Sequence, residues 1–158
     1  MRRALVITVS DRSASGQRED SSGPAAVDKL TSNGFDCPAP VVVADVRAEI
    51  VGALREGMDE GFDLIVTTGG TGLAERDVTP EATLEVVTKP VPGLAELMRS
   101  EGLKATPMAA LSRAVAGVAG KSLVINLPGS PAGVTESLDA VMEVLPHALD
   151  VLGGPGGH

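Results

Sequence analysis

Residues 4–9 (ALVITV) form a continuous apolar run rich in β-branched side chains. That pattern predicts a short strand buried on both faces. Residues 10–22 are polar and read as a loop; a helix is expected to open at Pro24, with Ala26, Val27 and Leu30 as its apolar stripe. Asn33-Gly34 stops it, Gly34 suiting the position after a helix end. A second strand is predicted over 41–43. Asp45 is placed to cap a helix whose apolar face is Val46, Ile50, Val51, Leu54 and Met58, closed by Gly61. Residues 63–68 (DLIVTT) read as a third strand, followed directly by Gly69-Gly70-Thr71-Gly72 and a polar loop. Thr79-Pro80 and Thr106-Pro107 each present a cap followed by proline at the first helical position, and Pro92-Gly93 opens a further helix carrying Leu94, Leu97 and Met98. Strands over 114–118 and 123–127, joined by a turn at Ala119-Gly120-Lys121, are expected to pair as a hairpin. Ser130-Pro131 starts a last helix with Val134, Leu138, Val141, Met142 and Leu145, which Pro146 should kink or end.

Strand–helix alternation of this kind predicts a mostly parallel sheet with helices on both faces. With 158 residues, one domain over 1–152 is expected, and the Gly-rich residues 153–158 read as a disordered tail. Composition narrows the function classes. Thirteen Lys and Arg against 21 Asp and Glu give a formal charge of −8, which disfavours a basic face for nucleic acid or an anionic membrane. Two Phe and no Trp or Tyr remove the stacking platforms of single-strand binders. One cysteine, Cys37, excludes an internal disulfide framework and a thiolate-rich zinc site. No apolar run reaches the length of a membrane span, and the opening apolar run is too short for a secretory signal, so a cytoplasmic protein is expected.

In an open α/β sheet, ligands bind beyond the carboxyl ends of the strands. The segments expected there are Ser10-Asp11, Asp45, residues 68–77, and Pro128-Gly129-Ser130-Pro131. The amides of Gly69, Gly70, Thr71 and Gly72, following Thr68, can cradle a phosphate, although a tight turn alone would also explain them. Gly120-Lys121-Ser122 resembles the end of a P-loop, but Val115 stands where its first glycine belongs. Glu75 likewise replaces the third glycine of a dinucleotide fingerprint. Asp45 and Asp77, both after strands, can hold Mg²⁺ against substrate phosphates. Taken singly, Asp45 is an ordinary helix cap and Asp77 a solvated loop charge. Ser112-Arg113 can bind an anion or simply satisfy a helix end. Glu96 taken alone is a surface glutamate.

Together these segments change the odds. Val9-Ser10-Asp11-Arg12, TTGGTG at 67–72, RDVTPEA at 76–82, Pro92-Gly93-Leu94 with Glu96 and Met98-Arg99, Thr106-Pro107, Leu111-Ser112-Arg113, Ala116-Gly117 and NLPGSP at 126–131 occur in one order. In this the chain resembles the molybdopterin adenylyltransferase family, of Mog and MoaB type, over about residues 5–152.

The resemblance implies a three-layer α/β/α fold with a mixed sheet containing one antiparallel strand. It implies transfer of AMP from ATP to the terminal phosphate of molybdopterin, with Mg²⁺ as cofactor, giving adenylyl-molybdopterin and pyrophosphate. The alternative is a MoaB-like molybdopterin-binding protein with little transfer activity. Carried over by motif position, Asp45 and Asp77 become the catalytic, metal-holding aspartates. Ser10, Asp11, Thr68, Gly69, Gly70, Thr71, Gly72, Glu96, Ser112, Arg113, Pro128, Gly129, Ser130 and Pro131 become substrate-binding. Many members have Pro-Asp-Glu where this chain has Ala44-Asp45-Val46, which leaves the aspartate in place. The family also implies a homotrimer and leaves room for transient contact with other molybdenum cofactor biosynthesis proteins.

Overall fold

In β1 (Ala4–Val9) all six positions are buried, and its side chains alternate between two cores. Ala4 and Val6 face one, Leu5, Ile7 and Val9 the other. The same period-two split repeats in β3 (Leu64–Thr68) and β6 (Ser122–Leu127), so a continuous apolar run feeds both faces of one sheet. The computed structural model describes residues 1–154.

The sheet has six strands in the order β2-β1-β3-β6-β5-β4, with β2 at Val41–Val43, β4 at Lys89–Pro90 and β5 at Ala116–Ala119. β2, β1, β3 and β6 are mutually parallel. β5 runs antiparallel to both its neighbours, pairing Ala116 with Ile125 and Lys89 with Val118. This is the three-layer, mixed-sheet fold expected, with one strand reversed, and the hairpin of β5 and β6 turns at Gly120.

One core takes Ala26 and Leu30 of α2 (Ser22–Ser32), Leu94 and Met98 of α5 (Pro92–Leu103), Val134, Leu138 and Val141 of α6 (Pro131–Met142), and Leu145 and Leu149 of α7 (Leu145–Gly153). The opposite core takes Ile50 and Leu54 of α3 (Arg47–Asp59) and Ala82 and Val86 of α4 (Thr79–Val86). Completely burying a Val, Leu, Ile or Met side chain stabilises by about 1.5–3 kcal/mol.

Several local expectations are corrected. The segment read as a loop contains α1 (Asp11–Ala14), whose N-cap is Ser10, its hydroxyl accepting the Ser13 amide. α2 starts at Ser22, two residues before Pro24. Asp45 does not cap α3: the cap position is Val46, without a side-chain bond. Thr79 is inside α4, Val78 being its cap. Residues 107–111 form a 3-10 turn, capped as expected by the Thr106 hydroxyl. β5 begins two residues later than predicted, because residues 114–115 still belong to the approach from that turn. Pro146 opens a new helix, being tolerated in a first turn where its missing N–H costs nothing. Gly153 closes that helix; the rest of the tail reading, beyond Gly154, lies outside the described residues.

Candidate functional site

Four parallel strands end on one edge of the sheet, and the chain leaving each carries a candidate residue: Ser10 after β1, Asp45 after β2, Gly69 after β3 and Pro128 after β6. The Gly69 amide still donates to Leu127 O, so the glycine loop starts as an extension of the sheet. Gly69 and Gly70 both have positive φ, +88° and +72°, a conformation that side chains disfavour. Space forbids a side chain there too. A Cβ on Gly69 would lie 2.5 Å from Val9 O, and one on Gly70 would collide with Thr79 Oγ1 and approach Asp45 Oδ1 to 3.3 Å. Thr79 stitches the loop to α4: its amide donates to Gly70 O at 3.1 Å and its hydroxyl to Gly69 O at 3.0 Å.

Three aspartates gather beside this loop. Asp11 and Asp45 exchange hydrogen bonds: the Asp11 amide donates to Asp45 Oδ2 and the Asp45 amide to Asp11 Oδ1, both at 2.9 Å. Asp45 therefore serves the first turn of α1, not of α3. Arg76 grips Asp11 with Nε and Nη2 at 2.7 and 2.9 Å. That bidentate hydrogen bonding, with the Asp45 amide, holds the Asp11 carboxyl below its ordinary value. Asp45 goes the other way. Burial raises its carboxyl, the Asp11 amide opposes that, and the negative charges of Asp11 and Asp77 raise it further. Asp77 Oδ2 accepts the Ala74 amide at 3.0 Å.

The candidates separate into two neighbouring spaces. A polar cavity of about 190 Å³ is lined by Ser10, Asp45, Gly69, Gly70, Asp77 and Gly129. A larger cavity of about 480 Å³ between α5, the 3-10 turn and α6 is lined by Thr71, Gly72, Ser112, Pro128 and Ser130. Thr68 lies behind the first, buried and bonded to Ser22 through their hydroxyls at 2.9 Å. Asp11 reaches it only through Asp45, with which it exchanges amide-to-carboxylate hydrogen bonds. Five candidates line neither space: Thr68, Asp11, Glu96, exposed on α5, Pro131, exposed at the start of α6, and Arg113. The Arg113 guanidinium is engaged by Glu81, Gly72 O and Asp77 O, and its hydrogen bonds to Glu81, helped by its charge, keep that carboxyl below its usual value.

Other lining residues were not named as site residues from sequence. Thr8, Arg18 and Asp20 border the polar cavity; Asp20 accepts the Thr8 hydroxyl at 2.8 Å and the Gly23 amide at 3.0 Å. The Asp20-to-Gly23 spacing before a helix is a capping signal that could have found it. Met98, Arg99, Glu136 and Ser137 border the larger cavity; the Met98-Arg99 motif marks the first two without assigning them to a ligand space, and Glu136 and Ser137 carry no such signal.

Residues 5–147 match the model of a family described as a probable molybdopterin binding domain. The molybdopterin adenylyltransferase of Helicobacter pylori (strain J99) is 46% identical, over 94% of this chain and 86% of that protein. Among solved structures, the molybdopterin biosynthesis enzyme MoaB of Thermus thermophilus is 54% identical, with a TM-score of 0.91 over 98% of this chain and 99% of that one. The molybdopterin biosynthesis Mog protein of Mycobacterium ulcerans is 43% identical, with a TM-score of 0.91 over 96% and 99%. With near-complete coverage in sequence and in fold, the chain belongs to this molybdopterin-binding domain family.

Proposed function

We propose that the protein is a molybdopterin adenylyltransferase of molybdenum cofactor biosynthesis, using ATP. The observation that carries this reading is the adjacency of the two cavities, with Asp45 and Asp77 in the polar one and Ser112 in the larger, less polar one. A nucleotide's phosphates suit the first, and a pterin bearing a phosphate suits the second. An oxygen of the molybdopterin phosphate forms a bond to the α-phosphorus of ATP, and the bond from that phosphorus to the bridging oxygen breaks, releasing pyrophosphate. The attacking phosphate is already ionised near neutral pH, so no side chain has to remove a proton. Catalysis then rests on position and on charge.

A chain at −8 must offset the substrates' negative charge locally. The amides of the glycine loop, the first turns of α4 and α6, and Arg76 do this without a basic face. Mg²⁺ bound at the phosphates would draw off further charge. Asp45 and Asp77 are the residues that would hold it. Among the described residues no group of three or more His, Cys, Asp or Glu forms a closed metal cage. Two carboxylates beside a phosphate site fit the open mode in which Mg²⁺ binds, completed by substrate oxygens and water. With no Trp or Tyr, the rings are held by backbone groups and by aliphatic and thioether surface such as Met98.

The same reading places the protein in the cytoplasm as a homotrimer. Among the described residues no helix is long and apolar enough to cross a membrane. A second reading is molybdopterin binding with little transfer, since the 54% identical Thermus thermophilus structure is described as the molybdopterin biosynthesis enzyme MoaB and not as an adenylyltransferase. Purified protein with ATP, Mg²⁺ and molybdopterin separates the two. Stoichiometric pyrophosphate with adenylyl-molybdopterin supports the enzyme; tight molybdopterin binding without pyrophosphate supports the binding protein.

A further inference from the structure

The loop that carries Asp77 has little packing of its own. Residues 73–76 are exposed, Leu73 at 68%. Inside the loop, the Asp77 amide donates to Ala74 O and the Ala74 amide to Asp77 Oδ2, each at 3.0 Å. Those two bonds shape the loop but do not fix it to the body of the protein. Arg113 does. Its backbone amide donates to Thr71 O at 2.9 Å, its Nε to Gly72 O at 2.8 Å and its Nη2 to Asp77 O at 2.7 Å. Glu81, in the first turn of α4, receives Nη1 at 2.6 Å and Nη2 at 3.3 Å, which fixes the plane of the guanidinium. One residue thus grips the loop on both sides of its exposed stretch.

The neighbour of Arg113 lies in the other cavity. Ser112 lines the larger space, and Arg99 from the same wall donates to Ser112 O at 3.3 Å and Ala114 O at 2.9 Å. Residues 112–114 are therefore held from the larger cavity on one side and hold the loop of the polar cavity on the other. We propose that Arg113 is a positioning residue, not a substrate ligand: it presents Asp77 to the polar cavity and makes the loop respond to a molecule seated against Ser112. The inference rests on the adenylyltransferase reading for its effect on turnover and on the hydrogen bonds alone for its effect on the loop.

Arg113→Lys keeps the charge but loses the fork that reaches two carbonyls and a carboxylate together. Two measurements follow. In steady-state kinetics, kcat should fall about tenfold or more, while KM for ATP and for molybdopterin stays within about threefold. In hydrogen exchange without ATP, the Ala74 and Asp77 amides should lose protection while those of β1, β3 and β6 keep theirs. Molybdopterin should slow exchange at these two amides in the wild type and fail to do so in the variant. Glu81→Gln, which leaves all three carbonyl contacts, is the milder variant and should show the same changes to a smaller degree. A raised molybdopterin KM with kcat intact would make Arg113 a substrate contact and overturn the proposal. So would wild-type loop exchange in Arg113→Lys, or, if that variant unfolds, wild-type loop exchange and kcat in Glu81→Gln. Absence of turnover in the wild type would defeat the adenylyltransferase reading only, and the exchange comparison would still decide the role of Arg113.

Discussion

Asp45 and Asp77 share a cavity but not an environment. Asp45 is half-buried, takes the Asp11 amide, and has two negative neighbours; burial dominates and its carboxyl lies above the ordinary 3.8. Between 3.8 and that raised value the folded state holds more protons than the unfolded chain, so stability falls as pH rises through the interval and stays lowered at neutral pH. Asn at this position keeps an acceptor for the Asp11 amide and removes the charge. Asp45→Asn should therefore melt higher than wild type at pH 7 without Mg²⁺, with the gain shrinking as pH falls through the raised value toward 3.8. A lower melting temperature at pH 7 would contradict this account. The same variant should lose transfer activity. Asp77→Asn tests the second carboxylate more directly, since its backbone is held by other groups. Turnover should fall more than about tenfold with little change in molybdopterin affinity. Near-native turnover would remove Asp77 from the metal-holding role.

Elements with a dense apolar period were legible in the chain: β1, β3, β6, α3 and the body of α6 follow from their side-chain pattern alone. α1 was not, because its four residues bury nothing and leave no stripe. β4 was not, because Lys89-Pro90 is a two-residue edge strand in which proline is tolerated only by its position. Candidate caps misled for a related reason. Asp45 and Thr79 have side chains suited to capping their own helices, but tertiary partners 34 and 10 residues away, Asp11 and Gly69, claim them instead. The strand-end rule found the edge where both cavities lie. It gave no way to assign each loop to its cavity, nor to see that Arg113 reaches residues 36 and 41 positions back. The glycine loop is the element most open to test. Gly70→Ala would force an alanine into φ near +72° and drive its Cβ against Thr79, costing about 1–3 kcal/mol. The protein should remain folded, melt several degrees lower, and bind ATP or molybdopterin more weakly. Unchanged affinity for both ligands, by calorimetry, would reduce the loop to a turn with no ligand role.

At the scale of the whole molecule the question is how many chains act together. The stretch after the first turns of α5 carries apolar side chains that the two cores do not cover: Leu103, Met108 and Leu111 stay 48%, 63% and 51% exposed. They lie close together in sequence, and Met108 and Leu111 also border the larger cavity. Scattered exposed leucines need no explanation, but a cluster beside a ligand space suits a subunit contact. Charge acts against association, since each copy contributes −8 and three copies repel at low salt. At about 0.15 M salt the screening length shortens to about 8 Å, and that repulsion between surfaces weakens. A trimer near 48 kDa, three times the 16.0 kDa of the chain, is therefore expected by light scattering at moderate salt. Its fraction should fall as salt is removed. A monomer of 16.0 kDa at micromolar concentration across that salt range would overturn the trimer and leave the exposed cluster to its place at the cavity rim.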